Sequence, residues 1–166
     1  LGELTKQQTW VIDNITQNNK TILDMSEDIR SRVKVIVTSS AALSGLLLSN
    51  KIFFNVDNTL LYDSILSCIL LCSIAVYWMA AQIWTRRLTY VAGTNNIDKL
   101  YDSYINKDLD DCYYGFLVDL CDTYESNKGE NNTQSNRLSI ATTLFTAQVA
   151  LVVIYLLVSV CIGLNT

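Results

Sequence analysis

LSIATTLFTAQVALVVIYLLVSVCIGLNT, Leu138 to Thr166, carries no charged residue, and from Leu144 to Leu164 it is mostly apolar. At about 1.5 Å of rise per residue, a helix of this length exceeds the roughly 20 residues needed to cross about 30 Å of hydrocarbon. The run predicts a transmembrane helix over 138–164. Everything upstream then has to be read as further spans, or as segments that those spans hold at one membrane face.

Composition narrows the choice further. Half of the 166 residues are apolar, which is high for a soluble domain, and the length suits a single domain. A net charge of -4 argues against a nucleic-acid polymer as partner, since that calls for a basic stripe. The chain has no histidine, so it lacks the commonest general base and metal ligand, and no proline to break a span. Its cysteines (Cys68, Cys72, Cys112, Cys121, Cys161) form no CxxC pair, and three lie in apolar runs where they act as small hydrophobes. No metal site, disulfide framework or cofactor is expected. The polar residues after Leu1 give no expectation of a signal peptide.

Upstream, Val11, Ile15, Ile22, Met25 and Ile29 recur at helical spacing, with Val33 and Ile36 following and polar residues between them. This predicts an amphipathic, coiled-coil-like helix over 1–34, its stripe weakened at Gln17, Asn18 and Asn19. The first span, 35–54, is rich in Ser39, Ser40, Ala41, Ala42, Ser44 and Gly45, small residues that let helices approach closely in lipid. No Pro or Gly separates it from the preceding helix. A short acidic loop from Asn55 to Tyr62 leads to a second span over 64–85, with Tyr77, Trp78 and Trp84 at one end as an interfacial belt and Arg86 and Arg87 as the stop. Residues 86–137 are polar and read as a cytoplasmic helical insert: one helix near Asn96 to Asn106, then another from Asp108 to Asn127. The second has an Asp-rich first turn that suits the positive helix N-terminus. Its apolar face calls for the N-terminal amphipathic helix as partner, and Gly129 marks a break before the last helix. The fold class expected is therefore all-α membrane protein, with three transmembrane helices, an N-terminal amphipathic helix and a cytoplasmic helical insert.

Charge sets the expected orientation. Lys6, Lys20, Arg30, Arg32, Lys34, Arg86, Arg87, Lys99, Lys107, Lys128 and Arg137 fall on one side of the three spans, and only Lys51 on the other. The positive-inside rule makes the first side cytoplasmic. Localisation in the inner (plasma) membrane follows, multi-pass, with the N-terminus inside and the C-terminus outside. The sequons at Asn14, Asn19 and Asn131 would all be cytoplasmic and unmodified.

Three groups of residues invite a functional reading. Arg30, Arg32, Arg86, Arg87 and Arg137 border the spans on one face, where a basic ring would hold a lipid or nucleotide phosphate; the plainer reading is topological anchoring. Ser139, Thr142, Thr143 and Thr146 put hydroxyls on one face of the last helix, with Gln148 deeper. They line a water-filled path between subunits, or else they bond to neighbouring helices and to their own backbone. The spans contain no internal carboxylate or cation, which argues against a proton relay. Asp108, Asp110 and Asp111 read as a helix N-terminus in preference to paired catalytic carboxylates, and Tyr101, Tyr104, Tyr113, Tyr114 and Tyr124 as core in preference to a base-stacking platform.

The run Leu100-Tyr101-Asp102-Ser103-Tyr104-Ile105, the Asp-rich helix after it, and Asn131 to Ala141 (NNTQSNRLSIA) just before the last span resemble the small prokaryotic SLATT and Pycsar-effector membrane proteins. Arg137 stands where those families carry a Lys. The resemblance covers about half of the chain and implies oligomerisation, a membrane target and a cytosolic trigger; it brings no catalytic residue. The leading expectation is a non-enzymatic, pore-forming membrane effector of antiviral defence, acting as a homo-oligomer in the lipid bilayer and receiving a signalling nucleotide or partner protein. A structural subunit that docks a cytosolic protein and a constitutive small channel are the alternatives. An enzyme fits poorly, for want of a nucleophile motif or a Gly-rich phosphate loop.

Overall fold

Every described element is a helix. The computed structural model describes residues 5–54, 60–85 and 108–163, which form α1 (Lys6–Phe54), α2 (Leu60–Trp84) and α3 (Leu109–Gly163) with no strand among them. All three are long and apolar enough to cross a membrane, with mean hydropathy of 1.3, 2.0 and 2.2 in an 18-residue stretch of each. This is the signature of a membrane protein.

The N-terminal helix and the first span are one element. Nothing between Lys6 and Phe54 interrupts the intrahelical bonds, in keeping with the absence of Pro, and Thr5 caps the start: its Oγ1 accepts from the Gln8 amide at 3.2 Å while Gln8 Oε1 accepts from the Thr5 amide at 2.9 Å. That reciprocal pair is a capping box. α2 starts inside the stretch expected to be a loop, because Leu60 to Tyr62 are apolar and Asp63 suits the positive end of its first turn. α3 fuses the Asp-rich helix to the last span. The break expected at Gly129 is absent: an isolated Gly weakens a helix without ending it, and the helix continues on both sides. The helix expected near Asn96 to Asn106, with Arg86 and Arg87, lies outside the described residues.

The contacts divide the chain into two compact units. The first comprises Leu1–Asp28 and Arg87–Gln134. In it α1 and α3 run parallel, since Asn19 bonds Asn127 and Ser26 bonds Gln134, each pair separated by 108 residues. Its buried apolar side chains among the described residues are Ile22 and Leu120.

The second unit comprises Ile29–Arg86 and Ser135–Thr166. Here α2 runs antiparallel to α1: Leu66 and Ile69 cluster with Leu47, while Ala80 and Ile83 cluster with Ile29 and Val33. Tyr155 and Val152 of α3 complete the first cluster and Leu138 borders the second. Along α2 the buried positions are Leu66, Ile69, Ser73, Val76, Ala80 and Ile83, a strict alternation of three and four that makes one seam of a helical bundle. The pairing on α1 and α3 again keeps the 108-residue offset, as in Ser40 with Gln148.

Gly129 is exposed within α3, and a Cβ added there meets nothing within 4 Å. Gly129→Ala is therefore expected to stabilise the protein by roughly 0.5–1 kcal/mol through helix propensity alone. Thermal unfolding in detergent checks this; a lowered midpoint would show that the glycine is needed.

Candidate functional site

Inside the second unit, the one polar layer described between apolar clusters is built from all three helices. α3 supplies Gln148, fully buried; α1 supplies Ser40 and Ser44, and α2 supplies Ser73. Ser40 Oγ donates to Gln148 Oε1 at 2.7 Å, and Gln148 Nε2 lies 3.2 Å from the Ser40 carbonyl, 3.1 Å from Ser44 Oγ and 3.0 Å from Ser73 Oγ. Ser44 and Ser73 are themselves 2.7 Å apart, and Ser73 Oγ donates to the Ile69 carbonyl at 3.0 Å. With that proton committed, Ser44 is the donor of the pair.

Proton counting explains why this layer holds. The amide of Gln148 has two hydrogens for three acceptors, so each is used whichever hydroxyl takes the second. A glutamine carried into apolar surroundings without partners costs several kcal/mol. Here the cost is offset by bonds that only one register supplies: sliding α3 by two turns would set Gln148 beside Val33 or Leu47. The layer therefore fixes how the three helices align, as a buried polar residue does in a coiled coil.

Ser139, Thr142, Thr143 and Thr146 lie on the opposite, exposed face of α3. Each threonine hydroxyl donates to its own helix, Thr142 to the Leu138 carbonyl at 2.8 Å, Thr143 to Ser139 at 3.0 Å and Thr146 to Thr142 at 2.9 Å. Back-bonding of this kind satisfies the hydroxyl hydrogen and leaves oxygen lone pairs outward. An open groove lined by Thr142, Thr143, Thr146, Ala147 and Ala150 runs along this face. These residues do not line the interior of the second unit.

The basic candidates are placed unequally. Arg137 is half-buried and its guanidinium donates to the Gln82 carbonyl at 3.5 Å, in the last turn of α2, where a cation complements the helix dipole. Arg30 is half-buried and Arg32 exposed on α1; Arg86 and Arg87 lie outside the described residues. Asp110 and Asp111 occupy the first turn of α3. Tyr113 and Tyr124 are half-buried, with Lys128 Nζ 5.8 Å from the Tyr124 ring centre, whereas Tyr114 is exposed. Among the described residues no cluster of His, Cys, Asp or Glu has the grouping of a metal site, and Cys68, Cys72, Cys112 and Cys121 are free thiols.

Sequence reasoning singled out Gln148, Ser40 and Ser44 separately and missed Ser73 and their convergence. The signal was present as a seven-residue period, Asn19, Ser26, Val33, Ser40, Leu47 on α1 and Asn127, Gln134, Ala141, Gln148, Tyr155 on α3, all of them buried.

Gln148→Leu should lower stability by about 1–2 kcal/mol, the upper range for interhelical hydrogen bonds in lipid. Ser40→Ala should cost at least as much, about 1–3 kcal/mol, because it removes the hydroxyl that donates to Gln148 Oε1 and leaves that oxygen buried. Denaturation in mixed micelles reads both; equal stability of Gln148→Leu and wild type would show that the layer contributes nothing. No family model matches this chain, and neither the curated proteins nor the solved structures contain a match, so these roles rest on geometry.

Proposed function

We propose that this protein is a non-enzymatic, homo-oligomeric effector of the prokaryotic inner membrane, part of an antiviral signalling system, which permeabilises that membrane when triggered. The observation that carries this reading is the outward hydroxyl face of α3. Thr142, Thr143 and Thr146 sit in an apolar stretch yet face away from their own bundle. Such a face gains a role when a second copy covers it, because the paired surfaces then enclose a path lined by threonine oxygens.

The remaining features fit the same reading. The all-helical spans and the unequal division of Lys and Arg support a cytoplasmic N-terminus and an outside C-terminus. Arg30, Arg32, Arg86, Arg87 and Arg137 would then lie at the cytoplasmic border, beside the level of the lipid phosphates. The buried layer around Gln148 supports a resting protomer that is closed, since its polar groups are consumed within the bundle. The resemblance to SLATT and Pycsar-effector proteins adds the cytosolic trigger, a nucleotide or a partner protein.

A second reading, a subunit that docks a cytosolic protein, is favoured by two large side chains of the first unit. Trp10 is 67% exposed and Tyr114 is 69% exposed. Native mass in detergent separates the two: a symmetric ring of one chain supports the effector, a fixed hetero-complex the docking subunit.

The sharper test replaces the threonines by their isostere. With Thr142→Val, Thr143→Val and Thr146→Val combined, membrane insertion is expected to persist, while leak on triggering falls about tenfold or more, the factor set by 1.4 kcal/mol of added barrier. Membrane potential and dye exclusion in cells expressing the protein with its neighbouring genes give the readout. Undiminished leak in the triple variant, or no leak from wild type under any trigger, contradicts the proposal.

A further inference from the structure

Among the described residues of the first unit, the buried side chains are mostly polar. Among the described residues, Asn19, Ser26, Asn127, Asn131 and Gln134 are buried there, against Ile22 and Leu120. Two interhelical bonds use part of this polarity: Asn127 Nδ2 donates to Asn19 Oδ1 at 3.0 Å, and Ser26 Oγ to Gln134 Oε1 at 2.9 Å. Among the described residues, Asn131 Oδ1 and Gln134 Nε2 are buried with no hydrogen-bond partner. Their residues are 5% and 0% exposed.

The two atoms are complementary, one acceptor and one donor. They project from the same face of α3, three residues apart, a spacing that puts Cβ atoms about 5–6 Å from each other. Buried polar groups in native proteins are almost always bonded, to protein or to an ordered water. We propose that Asn131 and Gln134 form a binding site for one internal water molecule, which donates to Asn131 Oδ1 and accepts from Gln134 Nε2.

Charge and size decide for water over other ligands. A cation would meet the Gln134 amide hydrogens and an anion the Asn131 oxygen, so the occupant is neutral and both donor and acceptor. Side chains this buried admit nothing large without opening the core. Buried waters occur at about one per 27 residues and typically make about three hydrogen bonds, so a site of this kind is ordinary in number and unusual only in its placement.

The site does not depend on the proposed activity, and it is tested without it. Oxygen-17 relaxation dispersion of the full chain in micelles measures long-lived internal water. Asn131→Leu is expected to hold one fewer such water than wild type, while Asn132→Leu, on the exposed side of the same helix, matches wild type. Equal dispersion amplitude in Asn131→Leu and wild type would overturn the proposal. Should Asn131→Leu fail to fold, a high-resolution structure of the wild-type chain decides. A peak within hydrogen-bonding distance of both atoms supports the site, and a direct bond between the two amides, or a protein group in the peak's place, overturns it.

Discussion

A polar side chain that enters hydrocarbon has to bring its hydrogen-bond partners with it, because lipid supplies none. Gln148 meets that condition through Ser40, Ser44 and Ser73, one or two groups from each of the other helices in its unit. Apolar contacts around it are permissive: in lipid, leucine against leucine differs little from leucine against acyl chain. The clusters about Leu47 and about Val33 therefore fill space, and the amide between them selects the alignment. A single glutamine decides a register that the apolar residues alone would leave loosely defined.

The same economy appears in the first unit, by different means. Asn19 with Asn127 and Ser26 with Gln134 repeat the 108-residue offset of Ser40 with Gln148, so the pairing of α1 with α3 is specified by polar layers in both units. Directional bonds of this kind add a specificity of pairing that apolar contacts do not supply. For a chain proposed to change state when triggered, specificity with modest cohesion is the useful combination.

Several elements were legible from sequence. The uncharged runs announced all three apolar helices, and Trp84 followed by Arg86 located the end of α2 to within a residue. Other features misled for identifiable reasons. Gly129 looked like a terminus, yet a lone glycine costs a helix too little to end it when Thr133 and its neighbours continue the bonding. Asn19 looked like a gap in an apolar stripe, whereas it occupies the stripe and is buried against Asn127. The convergence on Gln148 joins residues 75 to 108 positions apart, and no local pattern announces which serine meets which glutamine. The spacing of Ser139, Thr142, Thr143 and Thr146 marks them as one face; that it points away from its own bundle depends on where α1 and α2 pack.

α1 and α2 meet through the layer that holds Gln148. With native cysteines changed to alanine, Ser44→Cys and Ser73→Cys together place two thiols where the hydroxyls now stand 2.7 Å apart. Oxidation in intact membranes should join them within one chain, and a water-soluble maleimide should leave both unlabelled without detergent. Ready labelling together with failure to cross-link would contradict the account.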